Sequence, residues 1–363
     1  MSEAYPCNRC GATLFYDPAI QAMRCPYCGS VQASGAAGAP IREIPLEEGF
    51  ARAARGMGLP VTTTQCTRCG AVTHAASLEA TAWCAFCNAP VVLYPTDPNL
   101  IRPESLVPFL MNRAAANQLF TTWLHGLWFR PNALKRLASA HMLDGMYVPF
   151  WTFDAGVHST WTARAGHYYY TTEHYTERVE GKTVQRTRQV RHTRWEPAAG
   201  ARDDRYDDVL LCASRGLSGP LLGKVGPFDT RQLVPYDPSF LAGFRAEGYS
   251  IDLWTGWAQA YGIITASQRQ RCAKDVPGDT YDDLAVRDDL AAISFKHVLL
   301  PIWIGAFWHT GQPYQFMVNG QTGEVVGKAP LSVEKIILFV LALISPVFML
   351  WVWGVILQAQ SGH

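Results

Sequence analysis

Small cysteine-built β-hairpin modules in tandem, an α+β domain with an antiparallel sheet, and one C-terminal transmembrane helix form the fold class that this sequence predicts. Three observations carry it. Eight of the ten cysteines fall into four CxxC pairs, confined to the first 87 residues. A charge-free apolar run covers residues 336–357, close to the C-terminus. Between them lies a stretch rich in Trp, Tyr and Phe, residue types that favour strands and buried surfaces. A length of 363 residues suits two or three domains. With 48% hydrophobic and 17% charged residues, a disordered or coiled-coil chain is excluded. The net charge is 31 − 30 = +1, so any polyanionic partner must be met by a local patch and not by the whole chain.

The first element is the cysteine array. Cys7/Cys10 and Cys25/Cys28 are separated by 14 residues, as are Cys66/Cys69 and Cys84/Cys87, and the two sets are offset by 59 residues. Four thiolates satisfy Zn²⁺ tetrahedrally, and two CxxC knuckles on a hairpin present them. The spacing therefore predicts two structural zinc ions, held by Cys7, Cys10, Cys25 and Cys28 and by Cys66, Cys69, Cys84 and Cys87. Gly11, Gly29 and Gly70 follow second cysteines, where positive φ turns backbone amides toward sulfur. Disulfides are the competing reading; the opening Met1-Ser2-Glu3-Ala4-Tyr5-Pro6 has no apolar export region, which argues for reduced thiols. Full sets of four leave no open coordination position, so the expected role is structural. Tyr5, Phe15, Tyr16 and Tyr27 near the first set, and Trp83 and Phe86 near the second, could pack the hairpins, stack bases or grip a protein. His74 reads as a surface residue. The domain boundaries expected are 1–32 for the first ribbon, 33–59 for a linker containing the Gly/Ala run 35–39, and 60–97 for the second ribbon.

The domain at 100–330 reads as α+β. Residues 114–141 look helical with a break at Pro131, and residues 255–273 form a second helical stretch. Strand text begins at Tyr147-Val148-Pro149-Phe150-Trp151 and is echoed at Leu299-Leu300-Pro301-Ile302-Trp303, which suggests two related halves. Glu180-Gly181-Lys182 has hairpin-turn chemistry, and Asn319-Gly320-Gln321-Thr322-Gly323 another turn. One basic patch stands out: Arg178, Lys182, Arg186, Arg188, Arg191 and Arg194, against the single acid Glu180 between residues 178 and 195. Strand periodicity puts Arg186, Arg188, His192 and Arg194 on one face. That face could meet anionic lipid or nucleic acid, or be a solvated edge whose charges prevent aggregation.

Residues 336–357 span about 33 Å as a helix, enough for a bilayer core of about 30 Å, so a transmembrane helix is expected at 333–358. Lys328 and Lys335 precede it and only Gln358 to His363 follow, which places the N-terminal domains in the cytoplasm of a single-pass inner-membrane protein. Catalytic signatures fail. Gly219 to Lys224 has one residue too few for a phosphate loop, Ser218 lacks the final glycine of a nucleophile elbow, and no HExxH occurs. Asp203/Asp204 and Asp207/Asp208 read as turn and strand-start acids. Cys212 reads as a core thiol, while Cys272, among Arg269, Arg271 and Lys274, is a candidate for a lowered pKa. The expectation is a protein that is not an enzyme.

The ordered set of CxxCGA ribbons, Pro149-Phe150-Trp151, Asp207-Asp208-Val209-Leu210, Val234-Pro235-Tyr236-Asp237, Leu299 to Trp303 and Val318 to Glu324 before an anchor resembles the bacterial membrane-anchored TFIIB-type zinc-ribbon proteins. Members are often labelled primosomal or helicase-like, yet no phosphate loop or motor domain stands in this chain. The resemblance implies a membrane scaffold whose partners are membrane lipid and phage-shock or SPFH/band-7-type membrane-stress proteins, with nucleic acid the less favoured partner. Asn88 stands where a glycine is expected after the last cysteine pair.

Overall fold

The computed structural model describes residues 5–34, 40–53, 63–65, 72–74, 81–83, 90–94, 101, 103–130, 143–179, 182–217, 221, 223–309, 312–328, 330 and 332–360. A small antiparallel sheet opens the chain: β1 (Phe15–Asp17), β2 (Ala22–Arg24) and β3 (Val31–Ala33), in that order. The Asp17 carboxylate accepts from the Ala19 amide at 3.0 Å, and Gln21 adopts φ 51°, so the β1–β2 turn closes over residues 18–21. Then come β4 (Ile44–Pro45) and α1 (Leu46–Ala53). The expected linker 33–59 is thus partly built structure. Ile44 and Leu46 are buried, and β4 pairs with the main sheet through Phe295↔Ile44, because two apolar side chains at this spot gain more from burial than a free linker would.

Four short strands follow in the region of the second ribbon: β5 (Thr63–Gln65), β6 (Val72–His74), β7 (Thr81–Trp83) and β8 (Pro90–Tyr94). They pair β6-β5-β8-β7, all antiparallel. Next are β9 (Ser105–Leu106) and α2 (Arg113–Gly126), whose N-cap Asn112 accepts from the Ala115 amide at 2.9 Å. α2 ends at Gly126, and residues 131–141 of the expected 114–141 helix lie outside the described residues.

The main sheet is built on three very long strands. β10 (Asp144–Val179) has 36 residues, β11 (Lys182–Cys212) has 31, and β14 (Thr280–His309) has 30. At about 3.3 Å per residue, β10 alone is on the order of 120 Å long. It is central, antiparallel to β11 on one side and to β14 on the other. Between β11 and β14 lie β12 (Val234–Pro235), β13 (Arg245–Glu247) and α3 (Leu253–Asp275), and β15 (Gln312–Asn319) and β16 (Val325–Gly327) finish the sheet. The echoed segments are direct partners, with Tyr147↔Pro301 and Phe150↔Val298 in register. β13 joins β10 in parallel and β6 antiparallel, which carries β5 to β8 into the same sheet. The Asn319 turn is as expected: its side-chain oxygen accepts from the Gln321 and Thr322 amides, and Gly323 sits at φ 81°.

Burial changes along β10. From Met146 to Phe153 every residue is buried, so both faces are covered. Met146, Val148 and Phe150 pack with Leu300, Ile302 and the segment carrying Leu221, Val225 and Phe228. Tyr147 on the other face packs with Phe109, with Phe120 and Leu124 of α2, and with Leu14, Tyr16 and Met23 of the small sheet. Beyond Phe153 the pattern alternates. Ala155, Val157, Trp161 and Ala163 are buried, while His158, Thr160, Thr162 and Arg164 are exposed. α3 lies on the buried side through Leu253, Gly256, Ala260, Ile264, Gln268 and Cys272, a single helical stripe. Its start is capped by Asp252, which accepts from the Thr255 amide at 2.8 Å. Beneath it runs a buried polar chain: Tyr206 donates to Gln268 at 3.0 Å, Gln268 to Ser159 at 2.9 Å, and Ser159 to Asp288 at 2.6 Å. Past Gly166, paired with Thr280, β14 has ended and only the β10–β11 hairpin continues, from His167↔Arg194 to Val179↔Lys182.

The last helix, α4 (Val333–Gln360), contains a stretch, Val333–Trp351, that is long and apolar enough to cross a membrane, and none of its described residues is fully buried in the protein. It joins the base of the sheet. The Ser332 amide donates to the Phe129 carbonyl at 2.8 Å, Lys335 Nζ to the Arg130 carbonyl at 2.8 Å, and Phe339 meets the Phe129 ring edge-on at 5.2 Å.

Candidate metal centre

The first ribbon carries two knuckles of matching geometry. Around Cys7 and Cys10, the Gly11 amide donates to the Cys7 carbonyl at 2.8 Å and the Cys7 amide to the Ala12 carbonyl at 2.7 Å. Around Cys25 and Cys28, the Gly29 amide donates to the Cys25 carbonyl at 3.0 Å and the Cys25 amide to the Ser30 carbonyl at 2.9 Å. Gly11 and Gly29 have φ of 74° and 71°, the left-handed region that closes each knuckle without a Cβ penalty. Backbone amides turn onto sulfur, from Arg9 to Cys7 Sγ at 3.4 Å and from Cys28 to Cys25 Sγ at 3.5 Å.

All four sulfurs lie within 4.8 Å of one another, with Cys7–Cys28 and Cys10–Cys25 each at 3.5 Å. A tetrahedron with bonds of about 2.3 Å needs sulfurs roughly 3.8 Å apart, so the set fits one Zn²⁺. All four are free thiols. Ser30, which the sequence reading passed over, places its hydroxyl 2.9 Å from Cys7 Sγ and 3.2 Å from Cys28 Sγ. The Ser30 hydroxyl, helped by the Arg9 and Cys10 amides and the Cys28 thiol, lowers Cys7 to about 6, against the effect of burial. At Cys10 the Ala12 amide pulls downward, but the crowd of Cys25, Cys28 and Cys7 together with burial pushes the thiol up to about 12. Four thiolates gathered this closely repel one another, and a divalent cation at their centre is what relieves it.

The small sheet has two unlike faces. Tyr16↔Met23↔Gln32 forms the inward row: Tyr16 and Met23 are buried, and the Tyr16 ring meets Phe240 edge-on at 5.1 Å. Gln21 Nε2 ties the ribbon to the Phe109 carbonyl at 2.8 Å. Phe15↔Arg24↔Val31 is the outward row, with Tyr27 at the second knuckle 84% exposed. Of the aromatics singled out in the sequence, Tyr16 is therefore core, while Phe15 and Tyr27 face solvent.

Cys66, Cys69, Cys84 and Cys87 lie outside the described residues. The flanking strands bracket them: Gln65 pairs with Val72 and Trp83 with Pro90, and Gln65 also pairs with Val92. The strand ends that precede the two CxxC pairs thus lie on either side of β8.

The six basic residues do not form one patch. Cross-strand pairing puts Arg186, Arg188 and Arg194 on the α3 side, as expected, and Arg178 and Arg191 on the opposite face, while the side chain of Lys182 lies outside what the structure describes. Neighbouring acids that the linear reading did not bring in neutralise the first group: Arg186 pairs with Glu177 at 3.0 Å, Arg188 with Glu173 at 2.8 Å and Arg194 with Glu196 at 3.0 Å. The candidate reactive thiol is also corrected. Cys272 is buried on the inward face of α3, and burial raises its pKa. Burial raises Cys212 too, in line with a core thiol.

The acids near residue 207 prove to be part of an ion network. Buried Lys296 lies 2.8 Å from Asp208, 3.3 Å from Glu43 and 3.8 Å from Asp154. Burial opposes its charge, but Asp208, Asp154 and Glu43 together hold its pKa raised. Glu43, Asp154 and Asp207 also have oxygens within 4.8 Å of one another, but the lysine already supplies the positive charge there. Asp208 has φ 51° and Ala292 φ 51°, and both registers of β10 shift at residues 153–156, so the three strands bulge together at this level. In the sequence the only sign of it is the Asp-Asp pair; Lys296 carries none.

The chain is 27% identical over 241 residues to an uncharacterized protein, YdjG, of Bacillus subtilis strain 168. That alignment covers 65% of this chain and 66% of YdjG, so this chain spans just under two thirds of its relative's length. No known family profile matches the chain, and no solved structure matches it.

Proposed function

We propose that this chain is a membrane-anchored, non-catalytic zinc-ribbon adaptor of the TFIIB-type ribbon class, with its ribbons in the cytosol recruiting protein partners to the bilayer. One observation carries the reading. A closed set of four thiols sits on a small sheet whose back is buried in the main domain and whose front row, Phe15, Arg24 and Val31, with Tyr27 beside it, is left to solvent. Apolar side chains displayed on a metal-stiffened hairpin lose little entropy on docking. α4 would hold that display in two dimensions, which raises the effective concentration of any membrane-bound partner. Membrane-stress proteins of the phage-shock and SPFH type are the partners that the family resemblance suggests.

The test uses full-length protein in detergent. Elemental analysis is expected to give two zinc ions per chain, and Cys25→Ser to remove one of them, since three thiolates do not close the tetrahedron. The variant Phe15→Ser/Tyr27→Ser/Val31→Ser should keep both zinc ions and membrane retention while losing co-purifying partners. Unchanged partners in that variant would reject the ribbon as the docking face. Binding of duplex DNA that falls steeply with salt would replace the adaptor with a membrane-tethered nucleic-acid binder.

A further inference from the structure

Over its described residues, the distal β10–β11 hairpin has one face without acid. Residues opposite one another share a face, so Tyr168↔Thr193, Tyr170↔Arg191 and Arg178↔Thr183 line up on the side away from α3. From Tyr168 to Arg178 and from Thr183 to Trp195, that side carries Arg178, Arg191, His174, Tyr168, Tyr170 and Trp195 among Thr and Gln, and no Asp or Glu. Among the described residues no carboxylate lies within ion-pair distance of Arg178 or Arg191. Arg191 instead stacks over Tyr168 with its guanidinium carbon 4.3 Å from the ring centroid. Tyr170 is 62% exposed, and among the described residues no third strand or helix covers either face here. The other face is the one on which Glu173, Glu177 and Glu196 cancel the arginines.

From this sorting we infer that the acid-free face of the arm rests on anionic lipid headgroups of the bilayer that holds α4, so that the long ribbon lies along the membrane. The inference rests on the proposed anchoring. Arginine beside exposed Tyr and Trp is the chemistry of a bilayer interface, where the rings sit at headgroup level and the cations meet phosphates. The number of charges decides between lipid and nucleic acid. Two arginines and a histidine offer few phosphate contacts, and affinity for a polynucleotide grows with each phosphate neutralised, so nucleic acid would be held only weakly from solution. For an arm already tethered to the bilayer they suffice, each basic residue adding about fivefold to the bound population. Geometry adds a constraint. α4 joins at the Asp144↔Ile304 end, and Tyr168 lies 24 residues further along β10, roughly 80 Å at strand rise, so contact requires a recumbent ribbon.

Full-length protein is reconstituted into phosphatidylcholine vesicles with or without about a third phosphatidylglycerol, with a photo-crosslinking residue at Thr187 on the acid-free face or at Val184 on the other. Carbonate-resistant flotation of the vesicles reports the anchor by itself. Lipid capture at Thr187 is expected to rise at least fivefold in anionic vesicles, with little at Val184. Arg178→Gln/Arg191→Gln should return capture to the neutral-vesicle level, and Arg186→Gln/Arg188→Gln should leave it within twofold. Floating protein with equal capture at both positions, or capture indifferent to phosphatidylglycerol or to the Arg178/Arg191 pair, overturns the arm contact and leaves the anchor standing. Protein that does not float overturns both. If a 30-base-pair DNA duplex at physiological salt displaces the lipid, the face belongs to nucleic acid instead.

Discussion

One strand, β10, runs through two regions with opposite physics. Between Met146 and Phe153 it is packed on both faces, paired on both edges and buried throughout. Between His167 and Val179 it has, among the described residues, one partner strand and no covering element, and its residues are half-buried or exposed. Local sequence alone does not produce the difference, since both stretches are rich in aromatics. Tyr147 is wholly buried, whereas Tyr170 is 62% exposed. What differs is the company: β14, α2 and the small sheet converge on the base, and only β11 accompanies the arm. An isolated two-stranded hairpin is marginal in water, so the arm depends on the ribbon that it extends.

The contrast can be broken most strongly at the base. Phe153→Ala removes a fully buried ring between β14 and α3 and should cost about 3–5 kcal/mol in denaturant unfolding. A loss below about 1 kcal/mol would show that the base repacks as freely as a surface.

Midway, Asp204 sharpens the comparison, because there one face is covered and ion pairs take over. Its carboxylate accepts from Arg202, within ion-pair contact, and from Arg271 at 2.6 Å. Arg202 first, then Arg271 and Gln268, hold its pKa well below the usual carboxylate range against the effect of burial. The sign follows. The unfolded carboxyl titrates near 3.9, so the stabilisation is complete above about pH 5 and fades as pH falls through 4 and lower. Asp204→Asn should cost about 1–3 kcal/mol at pH 7 and progressively less toward pH 3, read from paired unfolding curves. A cost that does not change with pH would assign the loss to packing.

In the arm the effects shrink further. Arg188→Ala breaks the exposed pair with Glu173 and should change stability by less than about 0.5 kcal/mol. A larger loss in thermal unfolding would mean that the hairpin ion pairs act as a network.

Sequence spacing by itself determined the first ribbon. Cys7, Cys10, Cys25 and Cys28 and their glycines are local motifs, and the geometry that they need is set within a few bonds. The same holds for α3, whose helical stretch at 255–273 is legible within one local segment, and for the apolar length of α4, which composition alone defines. Three things only the tertiary structure decided. Residues 40–53 looked like linker, but Ile44 and Leu46 find their burial on β14, some 250 residues away. Lys296 had no sign in its neighbourhood, because Asp154, Asp208 and Glu43 reach it from three other segments. The six basic residues looked like one patch along the chain, yet strand register sent Arg178 and Arg191 to one side and their neighbours to the other, where β10 supplied the acids. The physical reason is common to all three: burial and charge pairing act between groups that touch, and in a sheet of strands more than thirty residues long the touching groups are rarely neighbours in sequence.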